Sequence, residues 1–147
     1  MVKRLLALNG FAVFEDAILL AFRIFIGSFL IWGVWDNIIN AKQMVEFAGF
    51  LAQHGFVKPH LMAPLSVWAQ FLCGVCFVFG IATRWAGLIC AFNFIVAIVM
   101  VDGSAGIRAA FPAAMLVGFG LYLMARGSGK FGIDAVLRID AEPVNEQ

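Results

Sequence analysis

The chain has 147 residues, which is enough for one domain and too few for two of ordinary size. Hydrophobic residues make up 63% of it and charged residues 13%, whereas a soluble globular domain carries roughly half and a quarter. The net charge is +1 and no run of Lys or Arg exceeds two residues, so a nucleic-acid-binding surface is excluded. The composition therefore indicates an integral membrane protein organised as a single membrane domain.

The amino-terminal segment begins like a secretory signal peptide. Lys3 and Arg4 precede a short apolar stretch, but Glu15 and Asp16 interrupt the sequence and no small-residue cleavage site follows. We therefore expect this segment to be retained.

Four apolar stretches are long enough to cross the hydrocarbon core of a bilayer, which requires about twenty predominantly apolar residues per helix. Only Thr83 and Arg84 separate the second stretch from the third, and residues 102–106 separate the third from the fourth. Such short connections force consecutive helices to be antiparallel neighbours. The predicted spans cover about residues 17–37, 61–82, 85–101 and 107–125. We therefore predict an all-α fold, a four-helix transmembrane bundle.

The longer connection between the first two spans contains a predicted amphipathic helix over about residues 42–53. Its apolar and polar residues recur at helical spacing on different faces, with Met44, Phe47 and Leu51 on one and Lys42, Glu46 and Gln53 on another. This pattern is typical of a helix that lies at the membrane surface. Gly55 ends the helix, and Pro59 delays the next helix until the second span.

The distribution of basic residues predicts the orientation of the bundle, because Lys and Arg are enriched in cytoplasmic loops. One side carries Lys3, Arg4, Arg84, Arg126, Lys130 and Arg138, and the other carries Lys42, Lys58 and Arg108. We therefore expect both termini in the cytoplasm, in a multi-pass protein of a bacterial-type inner (plasma) membrane.

Small residues on the last span predict close helix approach, since little hydrophobic force acts between helices in lipid. Ala110, Ala114 and Gly118 form a ridge at four-residue spacing. The cysteines are interpreted as packing residues as well. Cys73 and Cys76 have the spacing of a dithiol motif, but the middle of a span lacks the cation or helix start that stabilises a thiolate. The sequence predicts no metal site and no catalytic set.

An ionisable side chain within a span is costly and is by default a functional hypothesis. Arg23 lies roughly 9 Å from the inner end of the first span, at 1.5 Å per residue. Its long stem can reach outward to lipid phosphates or hold the bundle together. Alternatively, it binds an anionic or quinone-type head group.

Three polar residues are predicted near one level, close to the bilayer midplane, when the spans are placed antiparallel. They are Ser28, Gln70 and Asn93. Hydrogen bonds that hold helices together are one interpretation. The other is a polar patch that orients a quinone carbonyl in an apolar cavity.

A cluster of aromatic and polar residues is predicted nearer the outer surface. It contains Trp32, Trp35, Asp36, Asn37, Trp68, Asp102 and Arg108. Tryptophans at this depth usually anchor a span at the interface. Asp36 is less easily explained, because its own helical turn offers no basic partner.

Four segments in a fixed order carry a resemblance to a known family. They are Arg-Ile-Phe-Ile-Gly at 23–27, His-Gly-Phe-Val-Lys-Pro at 54–59, Gly-Ile-Ala-Thr-Arg at 80–84, and a closing Gly-x-Gly-Lys-aromatic-x-x-Asp at 127–134. With these segments the chain resembles the DoxX family of small four-helix membrane proteins, from about Ala21 to Leu137.

The resemblance implies a membrane component linked to redox chemistry. The family takes in a subunit resembling that of thiosulfate:quinone oxidoreductase and members associated with thiol or oxidative-stress systems. The family pattern often has an acidic residue at the position of Gln70 and a basic residue near Asp36. This chain therefore differs at two charges that are candidates for chemistry.

The sequence favours two functions. The first is a redox-associated subunit that binds a quinone or lipid, with Arg23, Gln70, Asn93, Trp32, Trp68 and Asp36 as candidate cofactor-binding residues. The second is a non-catalytic scaffold or accessory subunit that docks a membrane protein partner or a further copy of the chain. A transporter is least favoured, because four short-looped helices leave little room for alternating access.

Overall fold

The computed structural model describes residues 13–104 and 106–137, and within them the chain is almost entirely helical. The helices are α1 (Glu15–Ile39), α2 (Ala41–Gln53), α3 (Pro59–Phe79), α4 (Thr83–Met100), α5 (Ile107–Arg126) and α6 (Ile133–Val136). A 3₁₀ turn at Asp102–Ser104 lies between α4 and α5. Four of these helices, α1, α3, α4 and α5, are long and apolar enough to cross a membrane. The prediction of an all-α bundle with four spanning helices is confirmed.

The boundary between the second and third spans differs from the predicted one. The second span was expected to continue to residue 82, but α3 ends at Phe79. Gly80 and Ala82 both have a positive φ, 69° and 47° respectively, and so leave the right-handed helical region. The reversal into α4 is therefore complete within three residues.

The spanning helices pack in two pairs, each through a contact between two glycines. A Cβ on Gly27 of α1 would lie 2.7 Å from the Gly74 carbonyl oxygen of α3, and a Cβ on Gly74 would lie equally close to the Gly27 oxygen. Gly87 of α4 and Gly120 of α5 make the corresponding contact, where a Cβ on Gly120 would lie 2.6 Å from the Gly87 oxygen. Only glycine allows the backbones of these helices to approach so closely.

The predicted small-residue ridge on α5 does not make this contact. Ala114 and Gly118 are exposed, and a Cβ added at Gly118 would meet no atom within 4 Å. Gly120, two residues further along, faces α4 instead. The ridge therefore lies on the outside of the bundle.

The main apolar core lies between the spans, and a smaller cluster holds α2 against α3. The main core consists of Leu19, Leu30, Cys73, Phe77, Ala86, Cys90 and Leu123. The smaller cluster joins Ala48 and Leu51 of α2 to Ala63 of α3. The amphipathic helix is thus fixed to the start of the second span through its apolar face.

Ion pairs join the beginning of the first span to the end of the last. Arg126 Nε lies 3.2 Å from Glu15 Oε1, and Lys130 Nζ lies 3.3 Å from Asp16 Oδ2. Such exposed pairs contribute about 0–1 kcal/mol each. They place these two ends on the same side of the bundle, which we call the inner end; α2 lies at the opposite, outer end.

Candidate functional site

Arg23 is fully buried at the inner end of the bundle, where it joins three segments. From α1, its Nε donates a hydrogen bond to the Phe77 carbonyl oxygen at 3.0 Å. Its Nη1 donates to the carbonyl oxygen of Ser128, in the segment after α5. Because the last four carbonyls of a helix have no partner within the helix, Arg23 satisfies one at the end of α3. This position agrees with the interpretation of Arg23 as a residue that holds the bundle together.

Asp134 completes the same inner end by capping α4 from a distant part of the chain. Its Oδ1 accepts from the Ala82 N–H at 2.7 Å, and its Oδ2 accepts from the Thr83 N–H at 2.8 Å. The backbone N–H of Asp134 in turn donates to the Gly80 carbonyl oxygen at 2.9 Å. A carboxylate at a helix start satisfies orphan amides and interacts favourably with the helix dipole.

We call Arg23, Gly80, Thr83, Ser128 and Asp134 the inner clasp. Arg23, Thr83, Ser128 and Asp134 are at most 1% exposed. A Cβ at Gly80 would overlap the Arg23 guanidinium, so this position also requires a residue without a side chain. The clasp therefore uses its polar groups to close the bundle. Asp134 was assigned no role of its own from the sequence, although this residue ends the closing Gly-x-Gly motif.

Gln70 and Asn93 are brought together near the middle of α3 and α4, through a residue that sequence reasoning overlooked. Ser66 Oγ donates to Asn93 Oδ1 at 2.9 Å, and Gln70 Nε2 donates to Ser66 Oγ at 3.3 Å. Ser66 lies four residues before Gln70, on the same face of α3, and this spacing was the available signal. Ser28, the third residue expected at this level, is exposed on α1 and does not take part.

This polar triad of Ser66, Gln70 and Asn93 lies in the wall of a cavity of about 720 Å³ between α2, α3 and α4. The surrounding wall is apolar and rich in phenylalanine, with Phe47, Phe50, Phe56, Phe92 and Phe94. Asp102 lies at the outer end, nine residues after Asn93 and thus roughly 13 Å along the helix axis. Within the described part of the chain, no Lys, Arg or His lines this cavity.

The other predicted site residues lie outside this cavity. Trp32 is 76% exposed and Trp68 is 48% exposed, and Asp36 is exposed at the outer end of α1. Trp68 packs edge-on against Phe71 with ring centroids 5.7 Å apart, and Trp35 lies 6.4 Å from the same ring. Of the six candidate residues, the structure places only Gln70 and Asn93 in one cavity.

A second groove of about 480 Å³ lies between α1 and α5 near the inner end. Its wall is formed by Glu15, Ile18, Leu19, Phe22, Phe119 and Tyr122. Glu15 is already paired with Arg126. This groove therefore offers fewer free polar groups than the cavity that contains the triad.

The cysteines lie in or beside the apolar core and are all free thiols. Cys73 and Cys90 are buried, and the Cys73 thiol donates a hydrogen bond to the Ala86 carbonyl oxygen at 3.3 Å. Among the described residues, no group of three or more His, Cys, Asp or Glu side chains is placed to hold a metal ion.

The sequence matches the family model of DoxX over residues 18–103, which is more than half of the chain. The chain belongs to the DoxX family. No curated protein and no solved structure matches it.

The match places most of the candidate site inside the DoxX region. Residues 18–103 contain nearly all of α1 and the whole of α2, α3 and α4, together with the complete polar triad. Arg23, Gly80 and Thr83 of the inner clasp also lie within it, whereas Ser128 and Asp134 lie beyond it. In this DoxX protein, α5 and the closing segment therefore complete the inner end from outside the matched region.

Proposed function

We propose that this DoxX protein binds an isoprenoid quinone and acts as a small redox-associated subunit of a membrane complex. The observation that carries the proposal is the Ser66–Gln70–Asn93 triad in an apolar cavity between two spanning helices. Uncharged polar groups at this depth are costly unless they pair with each other or with a ligand. A quinone has the required combination of a polar ring and a long apolar tail.

The size and lining of the cavity support this choice. Cavities that hold small ligands are typically about 300–1,000 Å³, mostly apolar, and contain a few convergent polar groups. The cavity of about 720 Å³ falls within this range. Its phenylalanines offer ring faces and edges against which a planar ring can stack.

The remaining candidate residues have supporting roles in this proposal. Arg23 maintains the helix arrangement from the inner end rather than contacting the ring. Trp32 and Trp68 offer aromatic surface to the tail of the ligand or to a partner subunit, and Asp36 offers a charge at the outer surface. The complex is proposed to lie in a bacterial-type inner membrane with the inner clasp on the cytoplasmic side.

Quinone retained by purified protein tests the proposal. The wild type, Gln70→Leu and Asn93→Leu would be purified in a mild detergent from the same membranes, and extracted quinone would be measured per mole of protein. We expect both variants to retain roughly 5- to 150-fold less quinone, because an unpaired triad member costs roughly 1–3 kcal/mol. Gln53→Leu, which changes an exposed amide on α2, is the matched control and should retain quinone normally. A wild type without quinone, even after addition of quinone to the membranes, would contradict the proposal.

A second candidate function is a scaffold that docks a larger membrane protein, and the exposure of α5 favours it. In α5 only 11% of the 18-residue apolar stretch is buried, whereas 28% of the corresponding stretch is buried in each of the other three spanning helices. In its ridge of Ala110, Ala114 and Gly118, which has the spacing that allows close helix approach, Ala114 and Gly118 are exposed and Ala110 is half-buried. Ala114→Leu should then release a partner that co-purifies in mild detergent, whereas Met115→Leu, also on exposed surface, should not. An unchanged set of co-purified proteins in Ala114→Leu would count against this interface.

A further inference from the structure

The hydrogen bonds of the triad leave one amino group and one carbonyl oxygen unused. Ser66 Oγ accepts from Gln70 and donates to Asn93. Among the described residues, Asn93 Nδ2 and Gln70 Oε1 have no hydrogen-bond partner. Both side chains are half-buried and line the cavity. The triad can therefore offer a ligand both a donor and an acceptor.

The direction of this chain of hydrogen bonds can be reversed without moving any helix. A serine hydroxyl rotates freely, and an amide turned over by 180° exchanges its oxygen and nitrogen. After both amides turn, Asn93 donates to Ser66 and Ser66 donates to Gln70. The free acceptor then belongs to Asn93 and the free donor to Gln70, so the number of unused groups stays the same.

We propose that the triad binds the oxidised and reduced forms of a quinone with similar affinity, so that the site holds either form. This inference rests on the proposed function and specifies the ligand forms of that site. A quinone carbonyl accepts a hydrogen bond from the free amino group, whereas a quinol hydroxyl donates one to the free carbonyl oxygen. Because the chain can reverse, each end of the triad serves both forms.

The charges around the cavity favour an uncharged head group. Among the described residues that line the cavity, Asp102 is the one acidic or basic residue, and it lies at the outer end. The triad itself carries no charge. An anionic phospholipid head group would find no cationic partner there and would lie near a carboxylate. Desolvating such a charge without a partner is unfavourable. The triad also lacks a group that titrates, so it holds the ligand without supplying protons to it.

The test compares the two forms in the intact protein. The wild type, Gln70→Leu, Asn93→Leu and the control Gln53→Leu would be reconstituted in nanodiscs containing graded amounts of decylubiquinone or, under anaerobic conditions, decylubiquinol. Retained ligand is measured after immobilisation and washing. We expect the half-saturating mole fractions of the two forms to agree within about threefold in the wild type, since both find one neutral hydrogen bond of similar strength. Gln70→Leu and Asn93→Leu should each weaken both forms by similar factors.

The outcomes separate this inference from the proposed function. Retention of neither form by the wild type would overturn the proposed function itself. A preference of more than about tenfold for one form would overturn only the inference, because it would mean that the free donor and the free acceptor do not serve the two forms equally. If Gln70→Leu lost binding of one form only and Asn93→Leu lost binding of the other, the inference would also be overturned, because the hydrogen bonds of the triad would then be fixed in one direction.

Discussion

Asp134 caps the amino terminus of the third spanning helix at Thr83, although the two residues are 51 positions apart. The carboxylate of Asp134 also binds the N–H of Ala82, and its backbone N–H binds Gly80. The segment at 80–84 and the closing Gly-x-Gly segment therefore meet at one place. Arg23 reaches the same place from the first span, through Phe77 and Ser128. Three of the four segments that resemble the DoxX family therefore contribute residues to the inner clasp; the segment at 54–59 does not.

Removal of the Asp134 carboxylate should destabilise the bundle. Asp134→Ala leaves the N–H groups of Ala82 and Thr83, at the start of α4, without this acceptor, and we expect a loss of about 2–4 kcal/mol from two charge-assisted hydrogen bonds. Asp134→Asn keeps one acceptor and should lose about half as much. Thermal unfolding in detergent, followed by circular dichroism, measures the effect. Asp36→Asn, an exposed carboxylate, should leave the Tm unchanged, and an equal loss in both positions would contradict the capping role.

Arg23→Lys should weaken the inner clasp even though it keeps the positive charge. The guanidinium donates in two directions, to Phe77 and to Ser128, and a single ammonium cannot reproduce that planar geometry. A loss of about 2 kcal/mol would increase local opening roughly thirtyfold. Cleavage by trypsin after Lys130 should accelerate accordingly. Arg108→Lys, on the exposed start of α5, is the matched control, and equal cleavage rates in wild type and Arg23→Lys would refute the prediction.

Alanine at the glycine contacts should separate the helices of each pair. In Gly120→Ala the new methyl group meets the Gly87 carbonyl oxygen, and overpacking of this kind costs about 1–3 kcal/mol. Gly118→Ala, on the outer face of the same helix, meets nothing within 4 Å and should be neutral or stabilising by up to about 1 kcal/mol. The two Tm values should therefore move in opposite directions, or the second should not move. An equal decrease of Tm in both variants would contradict the prediction, because it would show that the Gly87–Gly120 contact is not the cause of the destabilisation.

Thiol labelling in intact cells should determine the orientation of the bundle. Lys42→Cys lies at the outer end, at the start of α2, and Lys130→Cys lies at the inner end. If basic residues keep the inner end in the cytoplasm, a membrane-impermeant maleimide should label the first variant in intact cells and the second only after permeabilisation. The wild type, whose three cysteines lie within the spans, provides the blank. The reverse pattern would invert the predicted topology.

The spanning helices could be predicted because their signal is local. Twenty apolar residues in sequence are sufficient to identify a span, and short connections set the order of neighbours. The face that a helix presents to its neighbour was harder to predict. Gly118 and Gly120 have the same size but lie about 160° apart around the helix axis. Nothing in a stretch that is apolar on all sides distinguishes the face that packs from the face that meets lipid.

The candidate site was predicted in part, for a similar reason. Matching residues by depth brought Gln70 and Asn93 to one level, and the structure joins them. The same calculation included Ser28 and omitted Ser66, because depth along the axis does not specify direction around it. The carbonyl partners of Arg23 could not be predicted either, because they belong to backbone that only the folded chain brings near. Partners supplied by distant backbone leave no pattern in the sequence.

The inner clasp also has a consequence for how the protein is made. Translation produces Ala82 and Thr83 well before Asp134, so their amides lack this acceptor until the later residue has been made. The start of α4 is therefore without its Asp134 cap while the first three spanning helices are being synthesised. A nascent chain that stops short of Asp134 therefore has all four spanning helices but lacks the carboxylate that caps α4.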